Sequence, residues 1–477
     1  MINIKNRLEL FWDDTMIDVS KTTATPKVHE FIRRECVITH DEPWEGDGCI
    51  FHNIINDNGL YRIYYTGYTM ITSAEMAEQV GVPEVRICYA ESYDGLNWIK
   101  PKLSIREFNG SKENNIILDS TDNNSFDVFY VYIDENPSCP AEEKYKGIGV
   151  DVGIIGLFCF FSSDGINFKN KFLMTNIGYF DTLNVIFWDE KKQKYMGYIR
   201  GFHGDIGKNP WSTGTRDIRY MESVDFRNWS DPQLLDFADA EDYALYTNCI
   251  SRYYRANHVM TGFPSRYVGR KEWTDTYDKL AGHEKRIKRY NYATRLGLAI
   301  TDCVFMTSRD GLKWKRYDEA ILRPGPEEPH NWVYGDCFPT LGMIETPGSY
   351  PGTDNEISMY VKSNHWMGIP AKLYRYTMRI DGFVSYHATY KQQILTTKPF
   401  IFEGDELYIN FSTSAIGYLY IKIKDENCNE INSYEIFGDK IDRKVGFIDG
   451  SPAKFKGKPV VMEIKMSDAD IYSFVFK

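Results

Sequence analysis

Short apolar and aromatic runs, each bounded by a cluster of turn residues, recur along most of this chain. Residues 61–65 (Tyr-Arg-Ile-Tyr-Tyr) follow the turn Asn56-Asp57-Asn58-Gly59, and residues 195–200 follow Trp188-Asp189-Glu190. Residues 145–150, 258–263 and 356–361 repeat the pattern. Runs this short, rich in aromatic and β-branched side chains, predict strands. Helical spacing is confined to 73–80 and 271–290. Beyond each run stands a second signature, Ser/Thr-x-Asp-Gly-x-x-aromatic with small lapses, at 92–98, 162–168, 223–229, 308–314 and 379–386. Its aspartates, Asp94, Asp164, Asp225, Asp310 and Asp381, are separated by 70, 61, 85 and 71 residues.

Asp-Gly is a tight-turn signal: glycine takes positive φ without penalty, and aspartate bonds its own backbone. A unit of this length, repeated in order and ending in one turn, is a supersecondary module copied around a ring or along a stack. Five repeats of several short strands predict an all-β five-bladed β-propeller. A pair of β-sandwiches with similar turns is the alternative. The longest gap holds a charged insertion at 273–288, a candidate rim or lid element.

From about residue 397 the repeat stops. Residues 407–411, 417–423, 460–464 and 471–476 alternate as short strands separated by Glu403-Gly404-Asp405, Asp425-Glu426-Asn427 and Gly450-Ser451-Pro452. The predicted division is a propeller over 1–392 and a C-terminal β-sandwich over 393–477.

The formal net charge of −11, with no basic stripe, argues against nucleic acid or an anionic membrane as partner. No run is long enough to span a bilayer, and the first residues lack an apolar leader. Nine cysteines, an odd number without CxxC or Cys/His zinc spacing, read as buried hydrophobes in a reducing, cytoplasmic protein.

In a propeller the innermost strands begin around a central channel, so an acid just before each converges with the others. Such acids stand in every repeat: Glu45 and Asp47, Asp127, Asp181, Glu241 and Asp242, and Asp336. Paired carboxylates across a sugar bond serve as proton donor and as base or nucleophile. The expected catalytic set is Glu45 and Asp181 as the principal pair, with Asp242 and Asp336 positioning or tuning them. Trp44, Asp47, Asp127, Asn184, Arg200, Asn248, His330 and Trp332 are the expected substrate contacts. His52, His203, His258, His330 and His365 share no metal-ligand spacing. No metal or other cofactor is expected, though converging carboxylates are compatible with a structural calcium ion on the axis. Phosphate-loop, Rossmann and Gly-x-Ser-x-Gly motifs are absent.

Several segments together, Leu10-Phe11-Trp12-Asp13-Asp14, Pro43-Trp44-Glu45-Gly46, 180–184, 245–248, 305–311, 323–325 and 468–472, resemble the five-bladed propeller glycoside hydrolases. The broad group contains the family 32 and family 43 enzymes, and the nearer likeness is to the bacterial set called glycosyl hydrolase family 32 N-terminal-like. The resemblance covers nearly the whole chain. It implies a propeller with a terminal sandwich, a glycosidase acting on a small oligosaccharide or glycoside, and Glu45, Asp181 and Asp242 as site acids. The family 32 motifs Trp-x-Asn-Asp-Pro-Asn and Arg-Asp-Pro do not occur here. Two rival functions stand beside hydrolysis. One is a glycan-binding propeller without catalysis. The other is a glycoside phosphorylase, with Arg200, Arg266 and His203 supplying an anion site.

Overall fold

The computed structural model describes residues 1–69, 85–119, 126–151, 156–207 and 213–477, with backbone only at Phe126, Asp127 and Asn170. The helix expected at 73–80 lies outside the described residues. Five antiparallel sheets form the blades. Blade one is Ile50–Asp57, Leu60–Gly67, Arg86–Ser92 and Ile116–Asp119. Blade two is Phe126–Ile133, Tyr145–Asp151, Gly156–Ser162 and Lys169–Thr175. Blade three is Val185–Asp189, Lys194–His203, Thr215–Ser223 and Gln233–Leu234. Blade four is Ser251–Tyr253, Ala256–Gly262, Ala299–Ser308 and Lys315–Leu322, with Ser265–Gly269 also paired to its third strand. Blade five takes Ile344–Thr346, Glu356–Ser363 and Ala371–Arg379 from the end of the ring, and its outer strand, Ile32–His40, from near the N-terminus. That borrowed strand closes the circle.

Sheet membership cuts across the expected 392/393 division. Ile2–Lys5, Glu9–Leu10, Thr25–Val28, Val384–Ala388 and Gln393–Thr396 all pair into the C-terminal sheet, which has ten strands. Its spine is the antiparallel pair Leu407–Asp425 and Val460–Phe476, and it encloses its own apolar core around Phe400, Leu419, Ile464 and Phe474. The reason is topological: once Ile32–His40 is spent on blade five, the segment before it has no blade left to join.

The recurring turn has one job in four copies. It joins the third to the fourth strand of blades one to four, and the aspartate Oδ1 accepts the backbone N–H groups two and three residues on, as in Asp94, Asp164, Asp225 and Asp310. The glycine that follows faces the neighbouring blade. Its carbonyl accepts the hydroxyl of a buried second-strand tyrosine: Tyr360 to Gly95 (2.5 Å), Tyr64 to Gly165 (3.0 Å) and Tyr198 to Gly311 (3.0 Å). A Cβ on these glycines would lie 2.7, 2.9 and 2.6 Å from those hydroxyl oxygens, so the contact itself requires glycine. The lapse in the third copy follows the same logic. Blade two carries Ile148 where its neighbours carry tyrosine, and blade three carries Phe226 in place of glycine, both within one apolar cluster. The fifth copy diverges: Asp381 is buried and bonded to Tyr253, Arg255, Asn410 and Ser473, pinning the ring to the C-terminal sheet.

Inner strands are tied directly to one another. The Asn53 amide bonds both Val131 O (2.7 Å) and Val131 N (3.1 Å), and Tyr130 donates to Ile186 O (3.1 Å). A cavity of 470 Å³ borders the C-terminal ends of the inner strands of blades one and two, at Asn56 and Ile133, and is also lined by Arg252 and Gly342. The opposite end of the channel, where inner strands begin, is roofed in part by the insertion. There the helices Asp275–Lys279 (α1) and His283–Tyr292 (α2) realise the helical spacing at 271–290, and a third, Thr294–Leu298 (α3), follows beyond it. All nine cysteines are free. Among the described residues no helix is long and apolar enough to cross a membrane.

The seam bonds should be measurable one at a time. Tyr360→Phe removes one buried hydrogen bond and is expected to cost about 1 kcal/mol in chemical denaturation. Gly311→Ala, at φ +85° and against both Met196 and Tyr198, should cost more.

Candidate active site

The sequence places acids before every inner strand, and the fold gives them different fates. Glu45 is wholly buried (0% exposed) between blade five's outer strand and blade one. Its Oε1 accepts from Tyr65 Oη (2.5 Å) and meets His40 Nδ1 (3.3 Å). Its Oε2 accepts from Lys100 Nζ (2.7 Å) and from the Glu42 amide (3.0 Å). Burial alone would raise its pKa, but His40 and Lys100 outweigh burial and bring the carboxyl down to about 2. Every lone pair direction that a substrate would use is taken. Glu45 is therefore a structural carboxylate, and the expected Glu45–Asp181 pair is not formed.

Asp181 keeps one-third of its side chain exposed (34%) and is ion-paired with Arg200, which is itself buried. Arg200 lies over the rings of Phe202 (4.6 Å) and Tyr246 (4.9 Å), and burial lowers its pKa to about 10, still fully charged at neutral pH. Tyr246 in turn donates to the Asp181 carbonyl (3.0 Å). The expected contacts Asn184 and Asn248 are buried and spent on backbone. Asn184 bonds Phe180 O, Thr182 O and Arg200 N; Asn248 bonds Leu183 O and Tyr198 O. They hold the Asp181 turn against blades three and four, which corrects their expected role as sugar contacts.

Asp336 stands before the inner strand of blade five, buried, with Oδ2 accepting the Val333 amide (3.0 Å). Burial raises its carboxyl to about 6, only partly offset by that bond and by the nearby charges of Lys362 and Arg289. A carboxyl kept protonated into the mildly acidic range is equipped to donate a proton. Tyr246, which bonds the Asp181 carbonyl, belongs to an aromatic cluster with Tyr334, two residues before Asp336. Tyr334 packs against Tyr246 (centroids 5.8 Å), Phe338 (5.9 Å) and His365 (5.6 Å), and His365 stacks on Trp366 (3.9 Å).

The remaining candidates fall at the margins. Asp242 is 67% exposed on the rim of blades three and four, where His203 bridges it (2.9 Å) to Asp217 (3.1 Å) beside a 250 Å³ cavity. Its ion-pair partner is His203 and not the Arg200 that holds Asp181. Trp44 donates to Asn115 Oδ1 (2.7 Å) and packs on Phe108, within blade one. Asp47 anchors the blade-five loop through the amides of Gly368 and Trp366. The side chain of Asp127 lies outside the described residues. His330 and Trp332 sit beneath the insertion; Trp332 donates to Gly325 O (2.9 Å) and lines a 350 Å³ cavity with Arg266, Asp302 and Arg323. Arg266 is bound twice by Asp302, and His203 is held by two carboxylates, so the expected Arg200–Arg266–His203 anion site is not assembled.

Among the described residues one group could bring three ligand atoms within 4.8 Å, namely His40, Glu45 and Cys49. Its nitrogen and sulfur donors do not suit calcium, which takes oxygen ligands. Lys100 already holds its carboxylate.

Sequence reasoning missed Lys362, His365, Tyr246 and Tyr334. A lysine in the apolar run Met359-Tyr360-Val361-Lys362 was the available signal, since a charge inside a strand needs a partner or a task.

These features define a five-bladed propeller whose acids and arginines meet where the inner strands begin. No family model matches the chain, and no curated protein matches it. Among solved structures it is similar to an N-acetylgalactosamine deacetylase from F. plautii, at 12% identity and a TM-score of 0.43, covering 75% of this chain and 96% of that one. It is also similar to the catalytic domain of a Coprinopsis cinerea family 62 alpha-L-arabinofuranosidase (8%, TM-score 0.42, 74% and 98% covered). A third is a Bombyx mori family 32 beta-fructofuranosidase (9%, TM-score 0.40, 94% of each chain).

Glu45→Gln should unfold the protein more easily rather than alter chemistry, by about 1–3 kcal/mol, because the charge-assisted bonds from Lys100 and Tyr65 to a buried carboxylate are weakened while Lys100 keeps Asp41 nearby. With its pKa lowered from 4.5 to about 2, Glu45 stabilises the fold above pH 4.5, and that stability is lost as pH falls toward 2. Acid-unfolding curves of wild type and Glu45→Gln should converge across that window.

Proposed function

We propose that this protein is a glycosidase acting on a small oligosaccharide or glycoside at the channel face where the inner strands begin. The observation that carries the reading is the contrast between two carboxyls that stand before the inner strands of blades three and five. Asp336 is buried and its pKa is raised to about 6, whereas Asp181 is partly exposed and paired with Arg200. A carboxyl that keeps its proton, with a second carboxylate held by a cation, is the equipment that acid–base cleavage of a glycosidic bond requires. In this reading Asp336 protonates the leaving glycosidic oxygen. Asp181, held by Arg200, either attacks the anomeric carbon or activates water opposite it.

Asp336→Asn and Asp181→Asn should each reduce turnover of aryl glycosides or oligosaccharides by at least about 100-fold, the usual scale of general acid–base catalysis. Wild-type turnover should fall as pH rises through 6, when Asp336 loses its proton. Stability supplies an independent readout. A carboxyl whose pKa is raised on folding costs stability as pH climbs from 3.8 to 6, so Asp336→Asn should melt no lower than wild type at neutral pH. Unchanged turnover in both variants would end this reading.

A further inference from the structure

Beneath the insertion the protein buries guanidinium groups whose hydrogen bonds it does not complete. Arg286 and Arg289 stand three residues apart on α2, so they share one helix face. Each is only 2% exposed. Arg286 reaches Asn331 O at 3.4 Å through one terminal nitrogen. Arg289 uses one terminal nitrogen for His365 O and Met367 Sδ, both at 3.4 Å. No acceptor among the described residues meets Nε and Nη1 of Arg286 or Nε and Nη2 of Arg289. Nε2 of the buried His365 is likewise without a partner, while its Nδ1 meets Lys362 Nζ.

Carboxylates stand near this group without closing its open N–H groups. Asp336 faces Arg286, Arg289 and Lys362, and Asp47 faces Arg289 and Lys362, with Glu327 toward Arg286. Asp336 already gives one oxygen to the Val333 amide, and Asp47 gives one to the Gly368 amide. A buried arginine fork left open is costly unless something accepts from it, and the acceptor that matches its planar geometry is an oxyanion. Lysine or histidine alone would not impose that geometry.

We propose that Arg286 and Arg289, with His365 beside them, form an oxyanion subsite for a carboxylate, sulfate or phosphate. The anion would be carried by the ligand of the channel face or bind beside it. The position rests on the glycosidase reading, since His365 packs on Tyr334 and Asp336 faces both arginines. The subsite is separate from the Arg200–Asp181 pair, and it is delivered by α2, so the insertion serves recognition as well as cover.

Calorimetric titration of the full-length protein with inorganic phosphate, sulfate and D-glucuronate, against methyl glucoside as a neutral control, tests the subsite. At least one oxyanion should bind at about 1 mM or tighter. Arg286→Met and Arg289→Lys should each weaken that binding by about tenfold or more; the second keeps the charge and removes the fork. Glucuronate binding with turnover of aryl glucuronides would mark an acidic sugar as the source of the anion. Phosphate binding with phosphate-dependent cleavage would mark the free ion. Absence of oxyanion binding to the wild-type protein, or binding unchanged in both folded variants, would overturn the subsite. Cleavage of neutral glycosides alongside that absence would leave the glycosidase reading intact, whereas oxyanion binding with no glycoside cleaved would remove the glycosidase reading and keep the subsite.

Discussion

Ring closure in this protein depends on a repeated contact between a tyrosine hydroxyl on one blade and a glycine carbonyl on the next. Tyr360 to Gly95 joins blade five to blade one, and the same bond recurs at Tyr64–Gly165 and Tyr198–Gly311. Each bond contributes modestly on its own. Its importance is geometric, because the tyrosine hydroxyl fixes how closely two sheets approach and the glycine turn admits it. Where the tyrosine is missing, at Ile148, the glycine is missing too, at Phe226, and apolar packing takes over. The borrowed strand Ile32–His40 then locks the first and last blades, and Asp381 fastens the ring to the C-terminal sheet.

A rigid ring gathers charged side chains at one end of its channel and forces each to find a partner. The outcome depends on who is nearby rather than on depth alone. Glu45 and Asp336 are both buried carboxyls that begin blades one and five. The first meets His40 and Lys100 and is held ionised; the second accepts a backbone amide, and its burial outweighs the nearby charges of Lys362 and Arg289, so it holds its proton longer. One therefore stabilises the seam, and the other is suited to proton transfer. Asp181 takes a third course, half-buried against an arginine that lies over aromatic rings.

Much of the architecture was legible in the sequence. The five turn signatures counted the blades, the aromatic runs marked the second strands, and the spacing over 271–290 marked the insertion's helices. The domain boundary was not legible, since nothing in residues 2–28 distinguishes a strand of the ring from a strand of the C-terminal sheet. The site was legible only in part. The positions before inner strands point to Asp181 and Asp336, with Arg200 an expected substrate contact, but the catalytic role expected of Glu45 and the contact roles expected of Asn184 and Asn248 are precluded by their buried bonds. Arg286 and Arg289 were invisible for a different reason. The segment His283-Glu284-Lys285-Arg286-Ile287-Lys288-Arg289 reads as a solvated charged face, yet both arginines point inward.

Local patterns determined what local forces govern: turn chemistry, strand runs, the number of modules and the residue types waiting at each inner-strand start. Tertiary structure alone decided which blade the first strand completes, which carboxyl is saturated by neighbours and which is left protonated, and where the insertion's arginines are buried. Those outcomes depend on charges and donors brought together from positions hundreds of residues apart, as Arg289 and Asp47 are, and their interaction energy is set by separation and desolvation in space. No window of sequence contains that distance.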